Sequence, residues 1–463
     1  MADDADEAWG LGGELTESGT VRHSGMLRKK KAGKGWKQRW CELVERGGGQ
    51  PPRLVYRAKQ GAQAKGILSL VGAWMADTSG TLDGSNMGFS LVPGNTSKDK
   101  GRLHQLVDFY FECADIAEKK AWQAAILGMH CVNASLDTDA YCSFEFDTLA
   151  LAPDEWLPAL VAMANTLGLP QKLGVGEEVV SAYFAACLGQ MPPNAFHSAA
   201  HALDVTQLLY CTLRQTGLAP LLQPVQLLGV FLGAVAHDLQ HTGTSNSLLI
   251  SEGHEYASKC ADNIGPLESH HARCALETLA NHDVLAAMSS ADAQSVREVV
   301  EKVIHCTDIG NHQVVMDTFK DVEDGWKNFR SSEFLVHGDK GDVLLAMLLK
   351  AADVSNPART FEIAGKWNAL IYEEFYAEGD KDKAAGREVN PMHDRDNNSV
   401  PKSSIGFINF LVRPIFSELL DFLKHCHDTD APGIRLDVFQ EAVNNLSTNA
   451  QLYQRQADTE SSL

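Results

Sequence analysis

Histidine and aspartate are concentrated in one stretch of the chain. Ten of the 17 histidines lie between His197 and His312. They occur in groups that read FHSAAHALD, AHDLQHTGTSN, LESHH and HCTDIGNH along the sequence. Neutral imidazole and carboxylate groups together bind divalent ions of the zinc, manganese or iron type. The clustering therefore indicates a metal-dependent site.

The positions of four residues single them out as metal ligands. His201 lies in an apolar, helix-prone segment, and the adjacent pair His237 and Asp238 ends a strongly apolar one. Asp353 ends another apolar segment, in the run AADVSN. A long apolar helix gains no packing by ending in polar ligands, so we interpret these residues as functional. A carboxylate such as Asp238 can bridge two ions that share a hydroxide and clamp a phosphoryl group.

The first group also raises the question of a second role. His197 and His201 are four residues apart, so on a helix they would share one face, with Asp204 close to the same stripe. Burying two stacked histidines among Ala, Val and Leu costs free energy, although a single buried histidine is often only a core residue. With His201 as a ligand, His197 is free for another task.

Composition and charge bound the class of protein. The chain has 463 residues, of which 44% are hydrophobic and 22% charged, which predicts two or three globular domains. Its acidic start is not a secretory signal, and the ten cysteines form no CxxC pair, so reduced thiols in the cytoplasm are expected. The net charge is −20, yet Val21–Lys65 contains 13 Lys or Arg against two Glu. A basic module on an acidic body favours an anionic partner for the module and disfavours nucleic acid as substrate.

The basic module reads as short strands with glycine-rich turns and one closing helix. Its segments SGMLRKK and WKQRW, with Trp122 in the final helix, resemble a pleckstrin homology domain over residues 21–131. The resemblance implies that Lys30, Lys37 and Arg39 bind the phosphates of an inositol lipid. The alternatives are a solvated basic face or a protein-docking surface.

The remainder reads as helices almost to the end of the chain. We therefore expect a multidomain protein in which a small β-barrel or sandwich with a C-terminal helix precedes an all-α catalytic domain. The expected boundaries are a disordered tail (1–20), the pleckstrin homology-like domain (21–131), a linker (132–147), the all-helical domain (148–456) and a second tail (457–463).

The helical part resembles the catalytic domain of class I cyclic nucleotide phosphodiesterases, within the HD superfamily. The motifs occur in the family's order: FHSAAHALDV, HDLQHTGTSN, LESHH, TDIGNH, AADVSNP, EEFYAEGD, VNPMHDRDNNSVPKS and GFINF. The resemblance implies that the four ligands hold a zinc ion and that Asp238 bridges to a second ion, magnesium or manganese.

Catalytic roles follow from the same resemblance. His197 matches the general acid that protonates the leaving 3′ oxygen, a suitable task for an imidazolium. Glu374 in YEEFY would orient His197, with the neighbouring Glu373 as the alternative. Positions around the metal ligands that hold metal-bound water and the bridging hydroxide are matched by Glu268, His241, His271, Thr307 and Asp308.

The nucleotide pocket shows one departure from the family. Phe407 and Ile371 match the residues that clamp the purine, Asn356 matches a residue that contacts its edge, and Met392 lies in a loop that closes over the base. Ser404, however, stands where the family has glutamine. Serine ends about two heavy atoms earlier, so weaker binding and looser base selection are expected, with no loss of chemistry.

The function expected from these residues is hydrolysis of a 3′,5′-cyclic nucleotide to the 5′-monophosphate, with cAMP favoured and cGMP as an additional substrate. One alternative is an HD-type phosphohydrolase that acts on another nucleotide or phosphate ester. Another is a catalytically weak nucleotide sensor or membrane adaptor. We expect a cytoplasmic protein, with peripheral membrane attachment through a phosphoinositide and a homodimer as open possibilities.

Overall fold

The protein was analysed as a computed structural model. It describes residues 20–31, 37–45, 53–69, 74–77, 88–92, 109–114, 118, 122, 139–260, 264–326, 338–429, 431 and 433–461. The expected N-terminal tail lies outside these residues except for Thr20, which begins the first strand. No helix in the described part of the chain is both long and apolar enough to cross a membrane.

The N-terminal part forms one antiparallel sheet. Its strands are β1 (Thr20–Lys31), β2 (Lys37–Glu45), β3 (Arg53–Arg57), β4 (Ala64–Ser69), β5 (Trp74–Asp77), β6 (Gly88–Val92) and β7 (Phe109–Glu112). The spatial order is β4-β3-β2-β1-β7-β6-β5, so β1 joins the two halves of the sheet. This sheet agrees with the expected fold class.

Alternation along β1 and β2 decides which face of the sheet is buried. Leu27, Cys41 and Leu43 are fully buried, whereas the neighbours of Leu27 along β1 are exposed. Trp122, at a helical position after the last strand, is also fully buried and packs edge-on against His23 with ring centroids 4.5 Å apart. A Cβ at Gly25 would lie 3.4 Å from the Trp122 indole nitrogen, so glycine permits this close approach.

The strand register adds one lysine, Lys29, to the basic residues that were expected to act together. Lys29 is paired with Lys37, and Leu27 with Arg39, so Lys29 shares a sheet face with Lys37 and Arg39. Lys30 occupies the alternate register position, opposite Tyr110. The expected lipid-binding role of Lys30, Lys37 and Arg39 stays a prediction, and the register adds Lys29 as a fourth candidate.

The remainder of the described chain is helical. The helices are α1 (Pro153–Thr166), α2 (Leu169–Leu173), α3 (Glu177–Gly189), α4 (Ala199–Gln215), α5 (Pro224–Ala236), α6 (Asn246–Ser251), α7 (Pro266–Asn281), α8 (Ser290–His305), α9 (His312–Trp326), α10 (Gly338–Asp353), α11 (Phe361–Ala384), α12 (Val400–Phe407), α13 (Arg413–Thr429) and α14 (Asp437–Glu460). A π-helical turn, Ile408–Val412, joins α12 to α13.

Helix α5 lies at the centre of the helical core. All of its residues from Gln226 to Ala236 are buried. Gly229 permits close contact with α8, because a Cβ there would lie 2.5 Å from the side chain of Val299. Helix α10 is also buried over most of its length. Two apolar helices thus run through the core, and each ends at residues predicted to bind metal.

The helical unit begins earlier and ends later than expected. Cys142 and Phe144, predicted to lie in the linker, are buried in the core of the helical part. At the other end, α14 continues to Glu460, with Ala457 1% exposed. The sequence patterns missed the first end because its short turns give no helical periodicity, and the second because the last turn of α14 is mostly polar.

Candidate functional site

The four predicted metal ligands converge in space. The Nε2 atom of His201 lies 3.1 Å from an Asp353 oxygen and 3.5 Å from an Asp238 oxygen. The Nε2 atom of His237 lies 3.3 Å from Asp238 and 3.4 Å from Asp353. His237 follows the last residue of α5 and Asp353 ends α10, so two helix ends and α4 assemble the group.

Hydrogen bonds behind this group fix which atoms face inward. The Nδ1–H of His237 donates to the carbonyl of Ala234 at 2.8 Å, which leaves Nε2 to face the two carboxylates. The buried Nε2 of His237 and Oδ2 of Asp238 have no hydrogen-bond partner among the described residues. The donor set and these orphaned atoms fit a zinc-type ion.

The electrostatics also call for positive charge at this point. Burial lowers the pKa of the His237 imidazole, but Asp238 and Asp353 outweigh it and hold that pKa well above its ordinary value. Burial likewise raises the pKa of Asp353, but the hydrogen bonds from His201 and His237 outweigh it and hold that pKa well below the usual range. A proton or a metal ion can supply the required charge.

The second oxygen of Asp238 faces a different neighbour. Its Oδ1 lies 3.8 Å from Nε2 of His271. The Nδ1–H of His271 donates to the carbonyl of Leu239 at 2.7 Å, and burial lowers the pKa of this imidazole to about 4. Neutral His271 therefore presents an acceptor to a carboxylate, and only a cation or a donor such as water can satisfy both. Asp238 can thus serve two neighbouring positions.

His197 lies outside the helix that was predicted to contain it. Helix α4 begins at Ala199, so His197 precedes the helix, although its ring centroid is still 5.8 Å from that of His201. Its Nδ1 is 2.7 Å from Oε2 of Glu374 in α11. The other Glu374 oxygen accepts the backbone N–H groups of Phe196 and His197, at 2.6 and 2.8 Å.

These contacts resolve the choice between the two adjacent glutamates. Glu374 is buried and bonded to His197, whereas Glu373 is exposed. Burial lowers the pKa of His197, but the hydrogen bond that its Nδ1–H donates to Glu374 and the charges of Asp238 and Asp353 outweigh it, so the pKa is raised. His197 is therefore held as a proton donor with Nε2 as its outer nitrogen.

His241 lies directly against this imidazole. The two rings are stacked with centroids 3.8 Å apart and an interplanar angle of 14°. The pKa of His241 is well below its ordinary value, because it is buried and because a second cation beside His197 is unfavourable. The backbone N–H of Gly243 donates to Nδ1 of His241, which leaves the proton on Nε2. Asn194, which the sequence analysis missed, donates to the carbonyls of both histidines.

Glu268 and Asp308 form an acidic pair on the other side of the group. Burial and the charge of Asp308 raise the pKa of Glu268 to about 7. Asn246 donates to Glu268 at 2.9 Å, and Asp308 accepts the backbone N–H of Gly265 at 3.2 Å. A Cβ at Gly265 would lie 2.0 Å from a Glu268 oxygen, so a larger residue here would displace the Glu268 carboxylate.

A buried lysine fixes the segment that carries Asp308. Lys350 is 0% exposed, and its ammonium donates to the carbonyls of Cys306, Thr307 and Asp308 at 3.0, 3.3 and 3.0 Å. The hydroxyl of Thr307 donates to the carbonyl of Ile304 at 2.8 Å. Both groups thus hold the turn after α8 in place, and the predicted role of Thr307 in binding water stays a prediction.

The residues predicted to bind the nucleotide lie on four elements, which are the turn after α10, α11, the turn Pro391–His393 and α12. Asn356 is buried three residues after Asp353, and half-buried Ile371 in α11 packs against Trp367, which contacts His201. Phe407 is half-buried at the end of α12, and Met392 is half-buried in the turn Pro391–His393. Their roles as clamp and lid stay predictions.

The hydroxyl of Ser404 is hydrogen-bonded within its own helix. Its hydroxyl donates to the carbonyl of Val400 at 2.8 Å, with a longer contact of 3.3 Å to Asn368. The side chain is 6% exposed. A hydroxyl used in this way has no hydrogen left to donate to a base, in agreement with the loss expected at this position.

The sequence analysis did not anticipate a role for Glu378 in α11. Glu378, one turn after Glu374, accepts both the backbone N–H and the hydroxyl of Ser245, each at 2.6 Å. Ser245 caps α6 and lies in the HTGTSN motif after His241. The EEFYAEGD motif contained the signal, since Glu374 and Glu378 are four residues apart and share one helix face. Helix α11 therefore holds both loops that carry site histidines.

Comparisons with known proteins agree with the two-part organisation. The family model described as 3′5′-cyclic nucleotide phosphodiesterase matches residues 196–434, which is just over half of the chain. A pleckstrin homology domain model matches residues 21–128.

Curated relatives include enzymes with different substrates in their names. A 3′,5′-cyclic-AMP phosphodiesterase, isoform F, of Drosophila melanogaster is 31% identical over 54% of this chain and 37% of its own length. A high affinity cGMP-specific 3′,5′-cyclic phosphodiesterase 9A of Mus musculus is 29% identical over 61% of this chain and 52% of its own length. The matched regions thus cover only about half or less of these curated relatives.

Solved structures show the fold of the helical part. The phosphodiesterase domain of a rhodopsin fusion protein from Salpingoeca rosetta matches with a TM-score of 0.62 and 24% identity, over 71% of this chain and 98% of that domain. LmjPDEB1 in complex with IBMX matches with the same TM-score, identity and coverage. At this identity the likeness establishes the architecture alone.

Replacing Glu374 with glutamine should lower the pKa of His197, because the carboxylate is the partner that stabilises the imidazolium. NMR titration of the His197 ring would then show its midpoint at lower pH than in the unchanged protein. Glu373→Gln is the matched control: it removes the same charge from an exposed neighbour and should leave the midpoint unchanged. Equal midpoints in all three proteins would contradict the assignment of Glu374.

Proposed function

Because the chain belongs to the 3′5′-cyclic nucleotide phosphodiesterase family, we propose that it hydrolyses a 3′,5′-cyclic nucleotide to the 5′-monophosphate. The observation that carries this proposal is the position of the His197–Glu374 pair beside a group of two histidines and two aspartates. A pure nucleotide sensor needs neither a proton donor nor such a group. We favour cAMP as substrate, with cGMP as a second one.

The metal ions of the proposed reaction would be held by the converging group. His201, His237, Asp238 and Asp353 supply the nitrogen and oxygen donors that suit zinc, and Asp238 would offer its other oxygen to a second ion, magnesium or manganese. Such ions, when bound, supply Lewis-acid stabilisation of the phosphoryl charge and activation of the attacking water.

The residues of the chain supply the proton transfers. His197, with its pKa raised through Glu374, donates the Nε2 proton to the departing 3′ oxygen, which would otherwise leave as a poor alkoxide. Neutral His241 stacks on the His197 ring and keeps an N–H donor at Nε2 for the phosphoryl group. Because it stays neutral, it does not compete with His197 for a proton. Glu268, with a pKa of about 7, can accept or release a proton at neutral pH.

The base would be bound by residues after α10 and along α11 and α12. Asn356 contacts the purine edge, and Ile371 and Phe407 enclose its faces, with Met392 over the opening. Ser404 contributes no donor, since its hydroxyl is bound to Val400. We therefore propose weaker binding and less strict base selection than in relatives that have glutamine at this position.

The N-terminal domain would bring the enzyme to a membrane surface. Lys29, Lys37 and Arg39 share one sheet face, and the Lys29 ammonium lies 3.2 Å from the centroid of the Tyr56 ring. Basic residues grouped in this way suit the phosphates of an inositol lipid. We propose peripheral attachment through these residues, which lie where the paired ends of β1 and β2 meet, and this would place the active site near membrane-derived signals.

The first test is steady-state hydrolysis of cAMP and cGMP with magnesium or manganese, alongside zinc analysis of the purified protein. Loss of a general acid costs about 10²- to 10⁴-fold in rate, so His197→Ala should lower kcat by that factor and keep its zinc. His237→Ala should lose both zinc and turnover, because it removes a ligand. His282→Ala, a control at the end of α7, should retain both. Zinc binding without turnover of either nucleotide by the unchanged protein would overturn the proposed function.

Restoring glutamine at position 404 should strengthen substrate binding. One added hydrogen bond is worth about 0.5–1.5 kcal/mol, so Ser404→Gln should lower KM for cAMP by about 2- to 10-fold. Ser404→Ala is the control: it removes only the hydroxyl bound to Val400 and should leave KM within about twofold. An unchanged KM in the glutamine variant would show that this position does not contact the base.

Membrane attachment is tested by co-sedimentation with vesicles that contain a phosphoinositide. Arg39→Ala should weaken binding about tenfold or more, since a charge-assisted hydrogen bond to a phosphate contributes about 1.5–3 kcal/mol. Arg28→Ala removes the same charge from the alternate register position of β1 and should bind nearly as well as the unchanged protein. Equal losses in both variants would indicate attraction by net charge in place of a specific site.

A further inference from the structure

A fully buried carboxylate, outside the metal group, organises the residues behind the nucleotide pocket. Asp204 in α4 is 0% exposed, and so is its partner Arg359, whose guanidinium donates to Oδ1 at 2.8 Å. The Thr148 hydroxyl donates to the same oxygen at 2.5 Å. The other oxygen, Oδ2, accepts the side-chain amide of Asn356 at 3.0 Å.

This arrangement determines the orientation of the Asn356 amide. A carboxylate paired with a guanidinium can only accept hydrogen bonds, so Asn356 must present its NH₂ group and not its carbonyl to Asp204. One amide hydrogen is used there. The carbonyl oxygen and the second amide hydrogen remain available on the rest of the amide edge.

Asn356 also has a defined position relative to the reacting centre. His201 and Asp204 are three residues apart on α4, and Asp353 and Asn356 are three residues apart after the end of α10. His201 contacts Asp353 at 3.1 Å, and Asp204 contacts Asn356 at 3.0 Å. The two contacts lie about one helical turn apart along α4, which places Asn356 one turn away from the metal-binding group.

We propose that Asp204 is a specificity-determining residue, which acts by locking the Asn356 amide in the orientation that reads adenine. This inference rests on the proposed function, since it assumes that Asn356 contacts the purine. An asparagine with one carbonyl and one N–H facing outward matches the N6 amino group and N7 of adenine. Guanine and hypoxanthine present two acceptors on that edge, so the locked carbonyl repels their 6-oxo group.

Replacing Asp204 with asparagine should reverse the orientation of the Asn356 amide. Two donors, from Arg359 and Thr148, converge on Oδ1, so the new side chain must keep its oxygen there and place its NH₂ where Oδ2 was. The Asn356 amide then turns its carbonyl toward this new donor. Its NH₂ group would face the base, where it suits a 6-oxo purine.

The experiment compares kcat/KM for cAMP and for inosine 3′,5′-cyclic monophosphate, which has a 6-oxo group in place of the amino group. The unchanged protein should prefer cAMP, and Asp204→Asn should lower the ratio about tenfold or more. Thr148→Val is the matched control, because it removes a donor to the same carboxylate but leaves the bond to Asn356. Its ratio should stay within about twofold, even if both variants melt at a lower temperature.

Loss of folding lowers both rates together and leaves their ratio unchanged, so the ratio separates specificity from stability. Turnover with a wild-type ratio in Asp204→Asn would overturn this inference alone. If that variant does not fold, Asn356→Leu decides, because it removes the base contact and leaves the Arg359 pair intact. A ratio that stays high in that variant would overturn the inference. Absence of turnover of either nucleotide by the unchanged protein would overturn the proposed function and this inference with it.

Discussion

Two carboxylates that face two fully buried imidazoles are the constraint around which the helical part is built; Asp238 is buried and Asp353 is half-buried. Asp238 follows the end of α5 and Asp353 ends α10, so each negative group lies where its helix dipole is also negative. Helix ends of this kind repel anions, and burial adds a desolvation cost. The arrangement is stable only with compensating positive charge. The electrostatics of the site thus come from the fold as much as from the ligands.

The long helix α11 fixes the two loops that carry His197 and His241. Glu374 and Glu378 accept backbone N–H groups from the loops that carry His197 and His241. Each carboxylate satisfies donors that have no partner within a helix and at the same time fixes a loop. Because Glu374 also bonds the imidazole of His197, one rigid helix determines both the position of that ring and its tendency to hold a proton.

The sequence predicted which four residues converge but few of the residues that surround them, for physical reasons. A His-Asp pair at the end of an apolar run has no packing explanation, so His237 and Asp238 were evident. Lys29 and Lys30 differ only in strand parity, which a run of lysines does not reveal. Asn194 acts through contacts with His197 and His241, and no spacing rule anticipates such a contact.

Asp204 is a second residue whose contacts could not be predicted from sequence spacing. Its spacing from His201 suggested a place near the metal stripe, but the side chain turns to Arg359, which is far away in sequence and carries no motif of its own. The pairing explains why the helical repeat of α4 can serve two purposes. In the proposed reaction, two positions about one turn apart on a single buried helix would serve the phosphate and the base at a fixed separation. A flexible loop could not hold that separation, whereas the contacts of α4 with the end of α10 would keep it constant. Selection of the base would then depend on the same helix contacts that hold the metal ligands, and a change in one is expected to disturb the other.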